Sequence, residues 1–177
     1  DLVPLFKDNP KSLRGFTYIV PTISAGMGLA TLLKEVTKIT DIKKKNAIII
    51  EEGMIKGLQK AYREGLRIGV GTDASVPYSF HYQVWKELQY FTKYTDMDNQ
   101  EAIYYGTKNN AELIGIDDLT GSIEEGKYAD LQVVNDNPLD NIEALSKVEH
   151  VFIKGQFIKN PSVDRIKNLE EVKPLEL

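Results

Sequence analysis

A helix, a glycine and a strand follow one another without a gap, and this order constrains the fold more than any other feature. Residues 47–64 follow helical spacing, with Ile55, Leu58, Ala61 and Tyr62 on one face. Gly65 stops the run, since glycine accepts the left-handed geometry of a helix C-cap. Leu66-Arg67-Ile68-Gly69-Val70 comes next. It is too short and too β-branched for a helix and reads as a buried strand. Such an order makes one α/β unit of a parallel sheet. Residues 16–20 read as a second strand, followed by a turn around Pro21 and Thr22 and then a helix. In that helix Leu29, Leu32, Leu33, Val36 and Ile39 recur at helical spacing. Both strands read as apolar on both faces, so each needs a neighbour on both edges. Lys43-Lys44-Lys45 reads as a solvated helix end, and Glu51-Glu52 and Glu124-Glu125 as solvated surface.

Downstream, one helix runs through Val84, Trp85, Leu88 and Phe91. Another starts at an N-cap, Asp98, and carries Ala102, Ile103 and Tyr105; a third covers residues 108–114. From Gly121 the pattern changes to short β-like runs at 129–134, 148–153 and 156–158. Asn137-Pro138 and Lys154-Gly155 supply the breaks. These runs predict a small antiparallel sheet or part of a sandwich. Three parts result: residues 1–118, residues 119–160, and a charged tail at 161–177.

Composition narrows the chemistry. The 177 residues include no cysteine, which excludes disulfide scaffolds, Cys-rich zinc modules, iron–sulfur clusters and thiol nucleophiles. The only histidines are His81 and His150. A net charge of −4 is the wrong sign for a nucleic-acid groove. Residues 16–33, within the longest uncharged run, hold Pro21, Gly26, Gly28 and four Ser or Thr side chains, which does not suit a spanning helix. A cytoplasmic chain is expected, with no membrane or nucleic-acid partner.

Gly69-Val70-Gly71-Thr72-Asp73-Ala74 matches the dinucleotide pattern G-x-G-x-x-A. A dinucleotide site needs a helix opening at the glycines and an acid at the end of a second strand about 20 residues on. Here Pro77 and the aromatic run 78–82 follow, then helix after helix, and Asp73 would lie beside the phosphates. The alternative is a carboxylate at the C-terminal end of a buried parallel strand, where it can bind a divalent metal or accept a proton from water. Position alone leaves Asp73 equally readable as a turn or helix cap. His81 lies in the loop after that strand, and either a substrate or metal contact or a plain polar contact suits it. His150 falls in a strand of the small sheet and reads as structural. Ser75 lacks the G-x-S-x-G elbow of a serine nucleophile.

The segments taken together resemble a family. Val20-Pro21-Thr22, the long helix, Ala61 to Gly65 and Gly71-Thr72-Asp73-Ala74 resemble the last two β/α units of an amidohydrolase-superfamily barrel. Asn99-Gln100-Glu101-Ala102, Gly106-Thr107 and Asn109-Asn110-Ala111-Glu112-Leu113-Ile114-Gly115 resemble the helices that follow it. Gly121-Ser122-Ile123-Glu124-Glu125-Gly126-Lys127-Tyr128-Ala129-Asp130-Leu131 is similar to the family's G-x-I-x-x-G-K-x-A-D-L. The likeness runs from about residue 16 to 160 and is nearest to the imidazolonepropionase and Xaa-Pro dipeptidase (prolidase-like) branch.

The resemblance implies an α/β fold: C-terminal units of a TIM barrel, then part of a small β-sandwich built from both chain ends. It implies a metal-dependent hydrolase of C–N bonds, using a divalent metal such as zinc, acting on a small cyclic amide, an amidine or a dipeptide. Asp73 takes the place of the strand-8 aspartate, which binds metal and moves a proton from the attacking water to the leaving nitrogen. Pro21 and Thr22 fall at the end of strand 7, and His81 falls where relatives contact substrate. The family's His-x-His, its lysine or glutamate on strand 4 and its strand-5 and strand-6 histidines have no match and are expected upstream of Asp1. The expectation is therefore the C-terminal part of a longer enzyme, since a complete barrel takes roughly 200 residues at the least. One carboxylate does not make a catalytic zinc site, which takes three protein ligands. The chain alone is expected to hold no such metal and to be inactive. It is expected to self-associate or to join the N-terminal part of its parent. The competing expectation is a non-catalytic segment that works by pairing with itself or a companion chain.

Overall fold

The computed structural model describes residues 2–166. In chain order the elements are α1 (Val3–Lys7), β1 (Tyr18–Ile19), α2 (Ile23–Thr31), α3 (Lys34–Thr37), α4 (Asp41–Arg63), β2 (Arg67–Ile68), α5 (Val84–Tyr94), α6 (Asn99–Tyr104), α7 (Asn110–Ile114), β3 (Leu131–Val134), β4 (Val148–Ile153) and β5 (Gln156–Ile158). The mixed α/β class holds. Among the described residues no helix is long and apolar enough to cross a bilayer.

The helix–glycine–strand unit forms as its residues dictate. Thr40 caps α4 by accepting from the Lys43 amide at 3.3 Å. At the other end Gly65 has φ +63°; its amide donates to the Tyr62 carbonyl and that of Leu66 to the Ala61 carbonyl. This is a Schellman ending, and it turns the chain directly into β2. β1 and β2 pair in parallel, Tyr18 opposite Arg67 and Ile19 opposite Ile68. Ile23, Met27, Leu58, Ala61, Leu66, Ile68, Phe91 and Met97 form the core beneath them.

The strands are shorter than the 16–20 and 66–70 expected, and β2 is not apolar on both faces. Arg67 is exposed, its guanidinium 3.8 Å from the centre of the Phe16 ring. Nor does the outer edge of β2 lack a neighbour. A π-helical turn, Tyr105–Asn109, joins α6 to α7 and presents two consecutive asparagines to it. Asn109 Nδ2 donates to the Ile68 carbonyl at 2.6 Å. Asn110 accepts from the Val70 amide and donates to the Val70 carbonyl, each at 2.9 Å. These side chains satisfy the main-chain groups that a further strand would otherwise pair.

The apolar series from Leu29 to Ile39 does not make one helix. α2 ends at Thr31, and Leu32 and Leu33 are extended. Lys44 supplies the reason: its Nζ donates to the carbonyls of Leu29, Ala30 and Leu32 at 3.1, 2.7 and 2.6 Å. A cation at a helix C-terminus satisfies orphan carbonyls and opposes the dipole. Lys43 and Lys45 are exposed as expected, whereas Lys44 is half-buried and its burial lowers its pKa. Glu51 departs further, since it is fully buried rather than solvated. Glu124 and Glu125 are exposed.

The small sheet is antiparallel in the order β3-β4-β5. Lys154 and Gly155, at φ +50° and +78°, make its tight hairpin. A 3₁₀ turn, Ile142–Ser146, ties the sheet to the helices by burying Ile142 with Leu88 and Ala102. Of the expected charged tail, residues 167–177 lie outside the described residues.

Candidate functional site

Because β1 and β2 are parallel and in register, their C-terminal ends lie side by side. The chain leaves β1 through Val20 and Pro21 into Thr22, and leaves β2 through residues 69–72 into Asp73. Thr22 has φ +51° and Asp73 φ +50°. Seven described non-glycine residues have positive φ, and four of them, Thr22, Asp73, Ser75 and Tyr78, cluster on these two exits. Such a conformation is costly for a β-branched residue and persists where surrounding contacts impose it.

Those contacts can be named. A Cβ on Gly71 would lie 2.8 Å from Val20 Cγ1, and one on Gly69 2.3 Å from Leu113 Cδ1. The glycines of the G-x-G pattern thus serve close packing of the strand ends. The next helix, α5, begins only at Val84, after a 3₁₀ turn at His81–Gln83. This removes the helix N-terminus that a dinucleotide site requires. Buried Ser79 donates from its Oγ to the Thr72 carbonyl at 3.1 Å. Tyr78 donates from its Oη to the Val36 carbonyl at 3.3 Å, and its Cβ fills the space beside Gly28. The turn is thus fixed from beneath, while the Asp73 side chain is exposed at its top.

His81 is also exposed, its ring edge-on to Tyr82 at 5.2 Å. Among the described residues no hydrogen bond or ion pair joins it to Asp73. His150 lies in β4 opposite Val133, with its ring against Phe157 at 5.5 Å. Ser75 is exposed, and its amide meets the Ser79 carbonyl at 3.4 Å.

Behind the turn lie two acids that the sequence reading did not select. Glu87 of α5 is fully buried and accepts three hydrogen bonds from the start of α2: the Ile23 amide at 2.7 Å, the Ser24 amide at 2.8 Å and the Ser24 hydroxyl at 2.6 Å. Burial raises its pKa, and the bonds from Ser24 and Ile23 oppose that rise. Glu51 of α4 is buried beside it, with neither carboxyl oxygen hydrogen-bonded among the described residues. Burial first, and the charge of Glu87 second, push its pKa up to about 7. A Cβ on Gly26 would come 2.1 Å from Glu51 Oε2, so this acid packs against the bare backbone of α2. Glu51 had a sequence signal: it precedes Ile55 by four residues and Leu58 by seven, which places it on the buried face. Glu87 had the same kind of signal, preceding Phe91 by four residues, but nothing in the sequence pointed to its partners, which are 63 and 64 positions away.

No three His, Cys, Asp or Glu side chains gather as a metal-binding group among the described residues. Asp73 stands alone, and Glu51 and Glu87 are enclosed. This donor set does not fit a catalytic metal held by the described residues by themselves.

Known proteins share this architecture. A crystal structure of a Bifidobacterium longum protein assigned as a prolidase superposes with a TM-score of 0.91 at 39% identity, covering 96% of this chain and 42% of that one. A Xaa-Pro dipeptidase with methionine bound in its active site superposes with a TM-score of 0.70 at 36% identity, over 81% of this chain and 35% of that one. Ochratoxinase from Aspergillus niger is 30% identical over 120 residues, 64% of this chain and 24% of its own length. The chain therefore spans less than half the length of each of these relatives. Residues 14–158, which hold both strand exits, the π turn and the small sheet, match the family model as one unit, and the chain belongs to the Amidohydrolase family.

Proposed function

We propose that the chain is the C-terminal part of an amidohydrolase that cleaves a C–N bond, with Asp73 as its proton-handling carboxylate. The observation that carries this is the exposed Asp73 side chain on a braced, left-handed turn at the C-terminal end of a parallel strand. Barrel enzymes keep their chemistry at that end. The carboxylate takes a proton from the water that attacks the carbonyl carbon. It passes that proton to the nitrogen as the C–N bond breaks. His81, exposed in the same loop, contacts the substrate. Zinc or another divalent ion would draw its remaining ligands from outside the described residues, with Asp73 contributing one carboxylate.

Similarity to proteins described as prolidase and Xaa-Pro dipeptidase favours a dipeptide over a cyclic amide or amidine as substrate. The test is hydrolysis of Xaa-Pro dipeptides by a parent protein containing this chain, beside the 177-residue chain alone. Turnover by the parent and none by the chain alone is expected. Turnover by the chain alone, or a parent inert toward every amide offered, would sink the reading.

A second reading, association, is favoured by the outer side of β1. Among the described residues β1 pairs only with β2. A groove of about 320 Å³ reaches β1 at Ile19 and is otherwise lined from α1, α4 and the residue before β2, including Val3, Phe6, Ala61 and Leu66. We propose that this side takes the preceding part of the parent or, in its absence, a second copy. Sedimentation of the 177-residue chain at low micromolar concentration should show a dimer or larger species, with an interface above about 1,000 Å². A well-folded monomer would refute it.

A further inference from the structure

α2 has nine residues and lacks an N-cap of its own. Thr22 stands at the Ncap position but is left-handed, and its side chain makes no capping bond. Helices leave their first amides without internal partners, and a buried start needs a substitute. Glu87 is that substitute, reaching across from α5. α2 follows the β1 exit, and α5 follows the loop that carries Asp73. One carboxylate therefore joins the two exits from behind. Thr22 lies beside the other turn: its Cγ2 is 3.8 Å from where a Cβ on Gly71 would be.

Glu51 completes the arrangement. Among the described residues the titratable groups around it are Glu87 and Tyr90 of α5, with Tyr94 behind Tyr90; α2 meets it with the bare backbone at Gly26. No cation is among these groups, and Lys44 is committed to the opposite end of α2. Two adjacent buried carboxylates without a cation keep a proton between them. Glu87, which accepts three bonds from donors, is the better site for the negative charge, so the proton goes to Glu51.

We propose that Glu87 is a positioning residue for Asp73, acting through α2 and Thr22, and that Glu51 is stored beside it as a neutral acid that leaves its charge uncontested. The proposal rests on Asp73 being the working carboxylate. Its test reads the geometry of the turn directly, so failure of the hydrolase reading is scored separately, by turnover.

The experiment is amide NMR and hydrogen exchange on the 177-residue chain. Glu87→Gln places an NH₂ group against amide donors. It should speed exchange at Ile23 and Ser24 by about tenfold or more, since bonds to a charged acceptor are lost. It should also move the resonances of Thr22, Gly71, Thr72 and Asp73 while leaving β3, β4 and β5 unchanged. In a His81→Gln background, which leaves no imidazole in the same loop, the resonances of the turn should titrate between about pH 5 and 8, and adding Glu51→Gln should abolish that titration without moving them at low pH. Changes confined to Ile23 and Ser24, or a turn titration that persists in Glu51→Gln, would overturn the proposal. Should Glu87→Gln fail to fold, Ser24→Ala removes one of the three bonds and no charge. Shifts reaching Gly71 to Asp73 in that variant support the proposal, and silence there refutes it.

Discussion

Replacing Asp73 by asparagine in a protein that contains this chain is expected, on the function proposed above, to lower kcat by about 10²- to 10⁴-fold, the usual worth of a positioned acid–base group. The substitution is clean for a structural reason. Asp73 sits at φ +50°, a region that asparagine and aspartate tolerate better than other non-glycine residues. Its side chain is exposed and has no hydrogen bond or ion pair among the described residues, so the fold loses nothing with the charge. Alanine would mix backbone strain into the result. Steady-state kinetics on Xaa-Pro dipeptides, with thermal unfolding as a control on folding, makes the measurement. A variant within a factor of about three of wild type would leave Asp73 as a residue of the turn and no more, far short of the loss expected of an acid–base group.

The second large effect is on stability as a function of pH. Glu51 titrates near 7 in the folded chain, against an ordinary value of 4.5. Between those values the folded chain binds more protons than the unfolded chain. The contribution of Glu51 is therefore fully present below pH 4.5, falls as pH rises and is lost once pH passes 7. The decline should reach about 1.4 kcal/mol per pH unit within the window. Glu87, raised in the same direction, adds to it with the same sign. Urea unfolding at intervals between about pH 4.5 and 8 measures the slope. Glu51→Gln, which mimics the neutral acid, should flatten most of it and leave the chain more stable than wild type at the alkaline end. An unchanged slope in that variant would mean that other groups carry the proton linkage.

Local signals announced the local structure. The Gly65 stop, the Asp98 cap and the Lys154-Gly155 turn all use chemistry that acts within a few residues, and each appears where the sequence placed it. Strand lengths and the break after Thr31 were not legible, because partners distant in sequence set them. Lys44 ends α2 from 12 to 15 positions away, and Asn109 and Asn110 close β2 from about 40. At the candidate site, the location of Asp73 followed from its place after a buried strand. The bracing behind it did not. A charged residue was read as surface, and only the helical register of Glu51 with Ile55 and Leu58 marked it otherwise.

The asparagine pair on β2 limits what this sheet can become. A side-chain amide satisfies a donor and an acceptor of the main chain but passes no ladder on to a further strand. Among the described residues β1 carries no such cap, so a strand adds more readily beside β1 than beside β2. Two copies meeting there through the same edge would use up the growing edge of both, which gives a closed, two-fold pair with no route to a filament. Closing a barrel would need a strand on the β2 side as well, so in a parent barrel Asn109 and Asn110 would have to release Ile68 and Val70; while they hold them, they bar open-ended assembly through this sheet.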